Sequence, residues 1–273
     1  QLKMIIKCVC CDSIDLKKVK IFKKPPKTEP NYNIKNYFRI ILKCNECGNF
    51  QNISNINMKK IYEKNYSQIS YGKNLWDKLL KVYNLKKKSD NYHRVNRIID
   101  RYKKFNNSKN FCILDVGTGF GLFLYVLKKR NKNWKLQAVE PDQNNINFIK
   151  KELKIKATKG FIEEIFTSKK FNLITLNKVL EHTKKPLEVF KRLKKSLKRN
   201  GEMYIEVPDG ETASKQGYDR EEFFIDHHYI FSKKSFKYLL DKSGFKIMNI
   251  KKVKEPSNKY TLFAFVKLIE KKP

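Results

Sequence analysis

The chain has 273 residues, 40% of them hydrophobic and 13% aromatic, enough for one sizeable α/β domain with a small appendage. It holds no apolar run of membrane-spanning length and no basic-then-apolar leader, so a cytoplasmic protein without a membrane span is expected. The formal net charge of +34 admits a polyanion or a phosphorylated small substrate as partner; only eight basic residues are arginine, the side chain suited to bidentate contacts with bases, so nucleic acid is the less favoured of the two.

Residues 1–55 carry five of the six cysteines. KCVCCDS and LKCNECG place Cys8, Cys11, Cys44 and Cys47 in two Cys-x-x-Cys knuckles, the spacing of a four-thiolate site of zinc-ribbon type. Four thiolates leave no open position, so the expected zinc is structural and holds this lobe together. Cys10 is an extra thiol inside the first knuckle. Val19–Phe22 and Tyr37–Lys43 read as short strands, with KKPPKTEP an exposed loop between them. Residues 56–109 read as a helical lid or linker. Met58, Ile61 and Tyr62 mark a first helix; Leu75, Leu79, Leu80 and Tyr83 recur at helical spacing, and so do Val95, Ile98, Ile99 and Tyr102. Tyr66, Tyr71 and Trp76 are candidate walls for an acceptor, or else anchors that dock these helices.

Residues 110–273 alternate strands and helices. FCILDV reads as a strand buried on both faces, followed by a helix from Phe120 to Arg130. KLQAVE is the next strand, Asn144 to Leu153 the next helix, and Ile155–Thr158 a short strand. A helical turn is expected over residues 162–167, then the strand FNLITLN. Pro186 opens a helix expected to run to Lys198 and end at Asn200-Gly201. GEMYIEVP is the fifth strand, Ser232 caps a helix through Lys242, and Phe245–Val253 and Tyr260–Ile269 close the pattern. Alternation of this kind argues for a doubly wound, Rossmann-like sheet.

The first turn of that region decides its ligand. In ILDVGTGFGLF the glycines 117, 119 and 121 give Gly-x-Gly-x-Gly, which fails the Gly-x-Gly-x-x-Gly spacing of a dinucleotide site. Asp115, two residues before Gly117, would repel a pyrophosphate and suits a ligand with positive charge near the turn. Glu140 and Pro141 end the second strand in AVEPD, where a carboxylate can accept both hydroxyls of a ribose, and Phe161 and Ile162 lie where an adenine ring would be flanked. This ordered set resembles the class I S-adenosylmethionine-dependent methyltransferases. The resemblance implies a seven-stranded core of order 3-2-1-4-5-7-6 with the seventh strand antiparallel. It implies S-adenosylmethionine as cofactor, held by Asp115, Gly117, Gly119, Gly121, Glu140, Pro141, Phe161, Ile162 and Asn177.

Two segments offer a base for the chemistry. LNKVLEHTKKP, after the fourth strand, resembles the segment that borders the cofactor in small-molecule methyltransferases and puts Glu181 and His182 toward an acceptor. FFIDHHYIFS resembles the stretch carrying the base histidine of sugar C-methyltransferases, which implies His227, or else its neighbour His228, although Ile230 replaces an aromatic residue there. Either segment also admits a capping or packing role. The combination implies methyl transfer to a small polar metabolite, a nucleotide-linked sugar or cell-surface glycan precursor first, on oxygen or carbon. An RNA or protein methyltransferase using the basic surface, or a cofactor-binding module without turnover, are the alternatives.

Overall fold

The structure is a computed structural model and describes residues 6–54, 56, 72, 74–162 and 169–269. The expected helix at Met58, Ile61 and Tyr62, and Tyr66 and Tyr71, lie outside the described residues. Among those residues no helix is long and apolar enough to cross a membrane.

The core is a seven-stranded sheet. Strands β4 (Cys112–Val116), β5 (Lys135–Glu140), β6 (Lys156–Lys159), β7 (Phe171–Asn177) and β8 (Leu197–Pro208) run parallel; β11 (Tyr260–Leu268) lies antiparallel between β8 and β10 (Phe245–Lys254). The spatial order β10-β11-β8-β7-β4-β5-β6 is the order that the resemblance implied. Ile113, Leu114, Leu173, Ile174 and Leu176 are fully buried, as a central strand covered on both faces requires.

The helix opened by Pro186 ends at Lys194 rather than Lys198, and β8 begins at Leu197. Asn200-Gly201 is thus inside a strand. A Cβ on Gly201 would lie 2.8 Å from the Phe171 carbonyl oxygen, at the register shift between β7 and β8, so glycine permits a close backbone approach rather than stopping a helix.

Helices α1 (Leu75–Asn84) and α2 (Asp90–Arg101) pack on α3 (Leu122–Arg130), which follows the glycine turn; α4 (Gln143–Lys151) follows β5. Trp76 is used for docking: its ring meets Phe148 and Tyr125 edge to face, and its Nε1 donates to Glu152 at 3.1 Å. Arg94, Arg97 and Arg101, on one face of α2, clamp it to the sheet. Arg94 Nε donates to Glu206 at 2.8 Å, Arg97 Nη1 to Glu206 at 2.9 Å, and Arg101 Nε to Glu202 at 2.6 Å. The two guanidinium groups hold the Glu206 carboxyl down at about 2 against the opposing effect of its burial, so it is fixed as an ionised structural partner.

The cysteine lobe has its own sheet, of order β1-β2-β3-β9. Strands β1 (Leu16–Phe22), β2 (Arg39–Cys44) and β3 (Phe50–Ser54) are antiparallel neighbours. The two-residue β9 (Tyr229–Ile230) comes from the histidine-rich stretch after β8, so a segment of the core region completes the lobe's sheet. Helix α5 (Pro186–Lys194), the single turn α6 (Gly210–Ala213) and α7 (Lys233–Lys242) are the remaining α-helices among the described residues. Ser232 caps α7 in a capping box and also donates through its hydroxyl to the Cys47 carbonyl oxygen at 2.5 Å, tying the second knuckle to the helix start.

Candidate active site

Gly117, Gly119 and Gly121 all sit in left-handed backbone, with φ of 69°, 58° and 84°. Space is as restrictive as conformation. A Cβ on Gly117 would come within 2.7 Å of Val179, and one on Gly121 within 2.8 Å of Leu153. The turn therefore runs between the β7 end and α4 with no room for a side chain at these two positions.

The two carboxylates stand at the carboxyl ends of adjacent strands, one on each side of this turn. Asp115, almost fully buried, accepts from Thr175 Oγ1 at 2.6 Å and Asn177 Nδ2 at 2.8 Å. Burial raises its carboxyl to about 6, a push that these hydrogen bonds only partly offset. Glu140 accepts from the Gly119 N–H at 2.9 Å, the Asp142 N–H at 3.2 Å and Asn145 Nδ2 at 3.3 Å, and burial raises it to about 7. Asn177 Oδ1, beside Asp115, is buried without a hydrogen-bond partner. Two buried carboxylates and an orphaned acceptor thus face a turn lined with backbone, an environment that favours a ligand carrying cationic and hydroxyl donors. Pro141 turns the chain from β5 toward α4, while Phe161 and Ile162 follow β6 and are half-buried, with Ile162 packed against the core cluster.

The histidine segments meet. Glu181, His182 and His227 have one ligand atom each within 4.8 Å of one another, and the rings of His182 and His227 are 4.8 Å apart, edge to face. Glu181 is fully buried, with neither carboxylate oxygen in a hydrogen bond. His182 Nδ1 lies 3.0 Å from the Asp226 carbonyl oxygen and His227 Nδ1 lies 2.8 Å from that of Glu222. A carbonyl oxygen only accepts, so each Nδ1 carries a proton. Burial pushes His227 below the ordinary histidine range and His228 down to about 4, so both are neutral near pH 7. His228 is engaged chiefly through its backbone, its N–H donating to the Glu181 carbonyl oxygen at 2.7 Å and its own carbonyl accepting from Asn52.

The four knuckle cysteines form a second cluster. Cys8 and Cys47 sulfurs are 3.5 Å apart and those of Cys11 and Cys44 are 3.6 Å apart, close to the roughly 3.8 Å edge of a tetrahedron with 2.3 Å metal–sulfur bonds. The thiols are coupled: hydrogen bonds from Cys10 and Cys47 push Cys8 down, while the same Cys8 contact pushes Cys47 up and burial pushes Cys11 up. Cys10 is buried, and its thiol is pushed up by that burial.

The lobe also holds the histidine stretch in place, through residues that the pattern of the sequence did not single out. Asn52 Nδ2 donates to the His227 carbonyl oxygen at 2.7 Å and that of Phe224 at 3.0 Å. Arg39, fully buried, donates to Asn52, Glu29 and the Phe223 carbonyl oxygen, while Glu29 accepts from the Ile225 N–H at 3.0 Å. KKPPKTEP is therefore not simply an exposed loop, since its Glu29 is buried against β2. The one available signal was Arg39 at an inward position of the alternating strand RIILKC, in a chain otherwise poor in arginine.

A family model described as a methyltransferase domain matches residues 87–250. The chain is 31% identical over 148 residues to an uncharacterized protein of Methanocaldococcus jannaschii, covering 54% of this chain and 60% of that protein. It is 30% identical over 114 residues to a ubiquinone biosynthesis O-methyltransferase of Rickettsia bellii, covering 40% of this chain and 47% of that one. The chain thus spans about half to three fifths of the length of these curated relatives. In structure it is similar to the glycopeptide N-methyltransferase MtfA complexed with sinefungin, with a TM-score of 0.51 at 11% identity over 65% of this chain and 86% of that one. It is likewise similar to coclaurine N-methyltransferase bound to N-methylheliamine and SAH, with a TM-score of 0.50 at 12% identity over 64% and 71%. At such identities the likeness concerns the fold alone.

Proposed function

This chain belongs to the methyltransferase domain family, and on that premise we propose that it transfers a methyl group from S-adenosylmethionine to a small polar acceptor. The observation that carries this reading is the pair Asp115 and Glu140, both buried, flanking a turn whose three glycines are all left-handed. Asp115 and the Asn177 oxygen match the ammonium end of the cofactor, Glu140 its ribose hydroxyls, and Phe161 and Ile162 the faces of its adenine. The bound sulfonium supplies an activated methyl group. The protein's part is to align the acceptor and remove its proton. We assign that proton to the Nε2 lone pair of His227, with His182 and Glu181 beside it and His228 the less suited neighbour. The acceptor class is a nucleotide-linked sugar or cell-surface glycan precursor, for which the family resemblance of the His227 stretch is the support.

Five of the eight arginines, Arg39, Arg94, Arg97, Arg101 and Arg220, are spent on internal carboxylates. This weakens the case for an RNA acceptor, which would need them at the surface. The cysteine lobe, residues 1–55, is assigned a structural zinc, residues 56–109 the role of helical lid or linker, and residues 110–273 the cofactor domain. Calorimetry with S-adenosylhomocysteine tests the reading. Wild type should bind, and Glu140→Ala should lose about 1.5–3 kcal/mol, the worth of charge-assisted hydrogen bonds. Absence of any binding would refute it, and binding without turnover on any acceptor would leave a cofactor-binding module.

A further inference from the structure

We propose that Glu181, His182 and His227 form a binding site for a divalent first-row transition ion, separate from the cysteine cluster. The site rests on the acceptor-side reading above and deepens it: with the cation bound, it and not the His227 ring acidifies the acceptor hydroxyl.

Three observations carry this. First, the ligand set converges. The three side chains come from two segments distant in sequence, and their ligand atoms lie within 4.8 Å of one another. Ligands on one ion at bonds of 2.0–2.2 Å stand roughly 3–3.5 Å apart, so a small rotamer closure completes the site. Second, Glu181 is fully buried with both oxygens lacking a hydrogen-bond partner. An unpaired buried carboxylate is costly, and cation ligation is one of the few ways to satisfy it. Lys178 contributes a positive field at this place but donates no hydrogen bond to Glu181. Third, both imidazoles are prepared as ligands. Each Nδ1 lies against a backbone carbonyl oxygen, of Asp226 for His182 and of Glu222 for His227, and a carbonyl partner of this kind is what fixes the orientation of a metal-ligating imidazole.

Two imidazoles and one carboxylate select manganese, iron, cobalt, nickel or zinc over calcium and magnesium, which prefer oxygen alone. Three protein ligands leave positions for an acceptor oxygen. In the transfer the acceptor O–H breaks with its proton passing to solvent, the O–CH3 bond forms as S–CH3 breaks, and the sulfonium leaves as the neutral thioether.

The test uses the full chain loaded with a single equivalent of zinc, which the four thiolates take first, and dialysed free of excess before titration with Mn(II). Loss of the free-ion EPR signal gives the bound fraction. One Mn(II) per chain is expected. Glu181→Gln and His227→Asn should each weaken it by ~100-fold or more. His93→Asn, which changes a half-buried histidine outside this cluster, should leave it intact. Thermal melts and binding of S-adenosylhomocysteine confirm that the variants are folded, and His182→Asn stands in should either fail to fold. Absence of Mn(II) binding, or binding that survives both ligand variants, overturns the site while leaving cofactor binding and a His227 base untouched. Loss of S-adenosylhomocysteine binding in the wild type is the separate failure of the functional reading.

Discussion

If Asp115 and Glu140 meet the ligand as proposed, cofactor affinity should rise steeply with pH, because burial raises both carboxyls. Glu140 titrates at about 7 and Asp115 at about 6, both above the ordinary carboxyl range. The ligand's ammonium and ribose hydroxyls favour the ionised forms, so binding must release these protons. At pH 5.5 about 3% of Glu140 is ionised and at pH 8 about 90%, which gives a roughly 30-fold affinity change from this group alone. Asp115 adds about 4-fold over the same interval, for a combined change on the order of 100-fold. Stability of the free protein runs the other way. A raised carboxyl pKa means the fold binds more protons than the unfolded chain between about pH 4 and 7, so these two groups cost stability as pH rises through that window. Calorimetric titration with S-adenosylhomocysteine at pH 5.5, 6.5 and 8 reads the first effect. Glu140→Gln should flatten it to the roughly 4-fold share of Asp115. A wild-type affinity that does not change with pH would show that the ligand does not meet these carboxylates.

The lobe and the active site should be coupled through Asn52. Asn52→Ala leaves the carbonyls of His227 and Phe224 without their donor, at a cost of about 1–3 kcal/mol, and should reduce methyl transfer while calorimetric binding of the cofactor product stays near wild type. Metal analysis should find a tightly held zinc that Cys44→Ser abolishes, and chelation should raise hydrogen exchange in β3 and the segment 222–230 before it does so in β4 and β7. His227→Ala and His228→Ala, assayed separately, should give very unequal losses of kcat with His227 the larger; equal small effects would remove this stretch from the chemistry.

What could be read in advance follows a physical divide. The glycine turn, its two acids and the cysteine knuckles were legible because local spacing fixes them: a left-handed φ demands glycine, and a two-residue gap sets how two thiols approach. The sheet order was legible through the resemblance. β9 was not, because its pairing of Phe50 and Gln51 with Ile230 and Tyr229 joins segments far apart in the chain. Nor was the meeting of His182 with His227, which joins two segments far apart in the chain. Helix α5 was read too long, since the apolar spacing of Val189, Phe190 and Leu193 continues into Leu197, where sheet pairing with Phe171 takes over. Glu29 was hidden by its company of lysines and prolines. Its burial is set by Arg39 on a neighbouring strand and not by its own surroundings in sequence.

The most direct test of the whole account is a crystal structure grown with S-adenosylhomocysteine. The account places the ribose hydroxyls within hydrogen-bond distance of the Glu140 carboxylate and the amino group beside Asp115 and the Asn177 oxygen. A ligand that sits elsewhere, or a turn that accepts a dinucleotide in its stead, would contradict it.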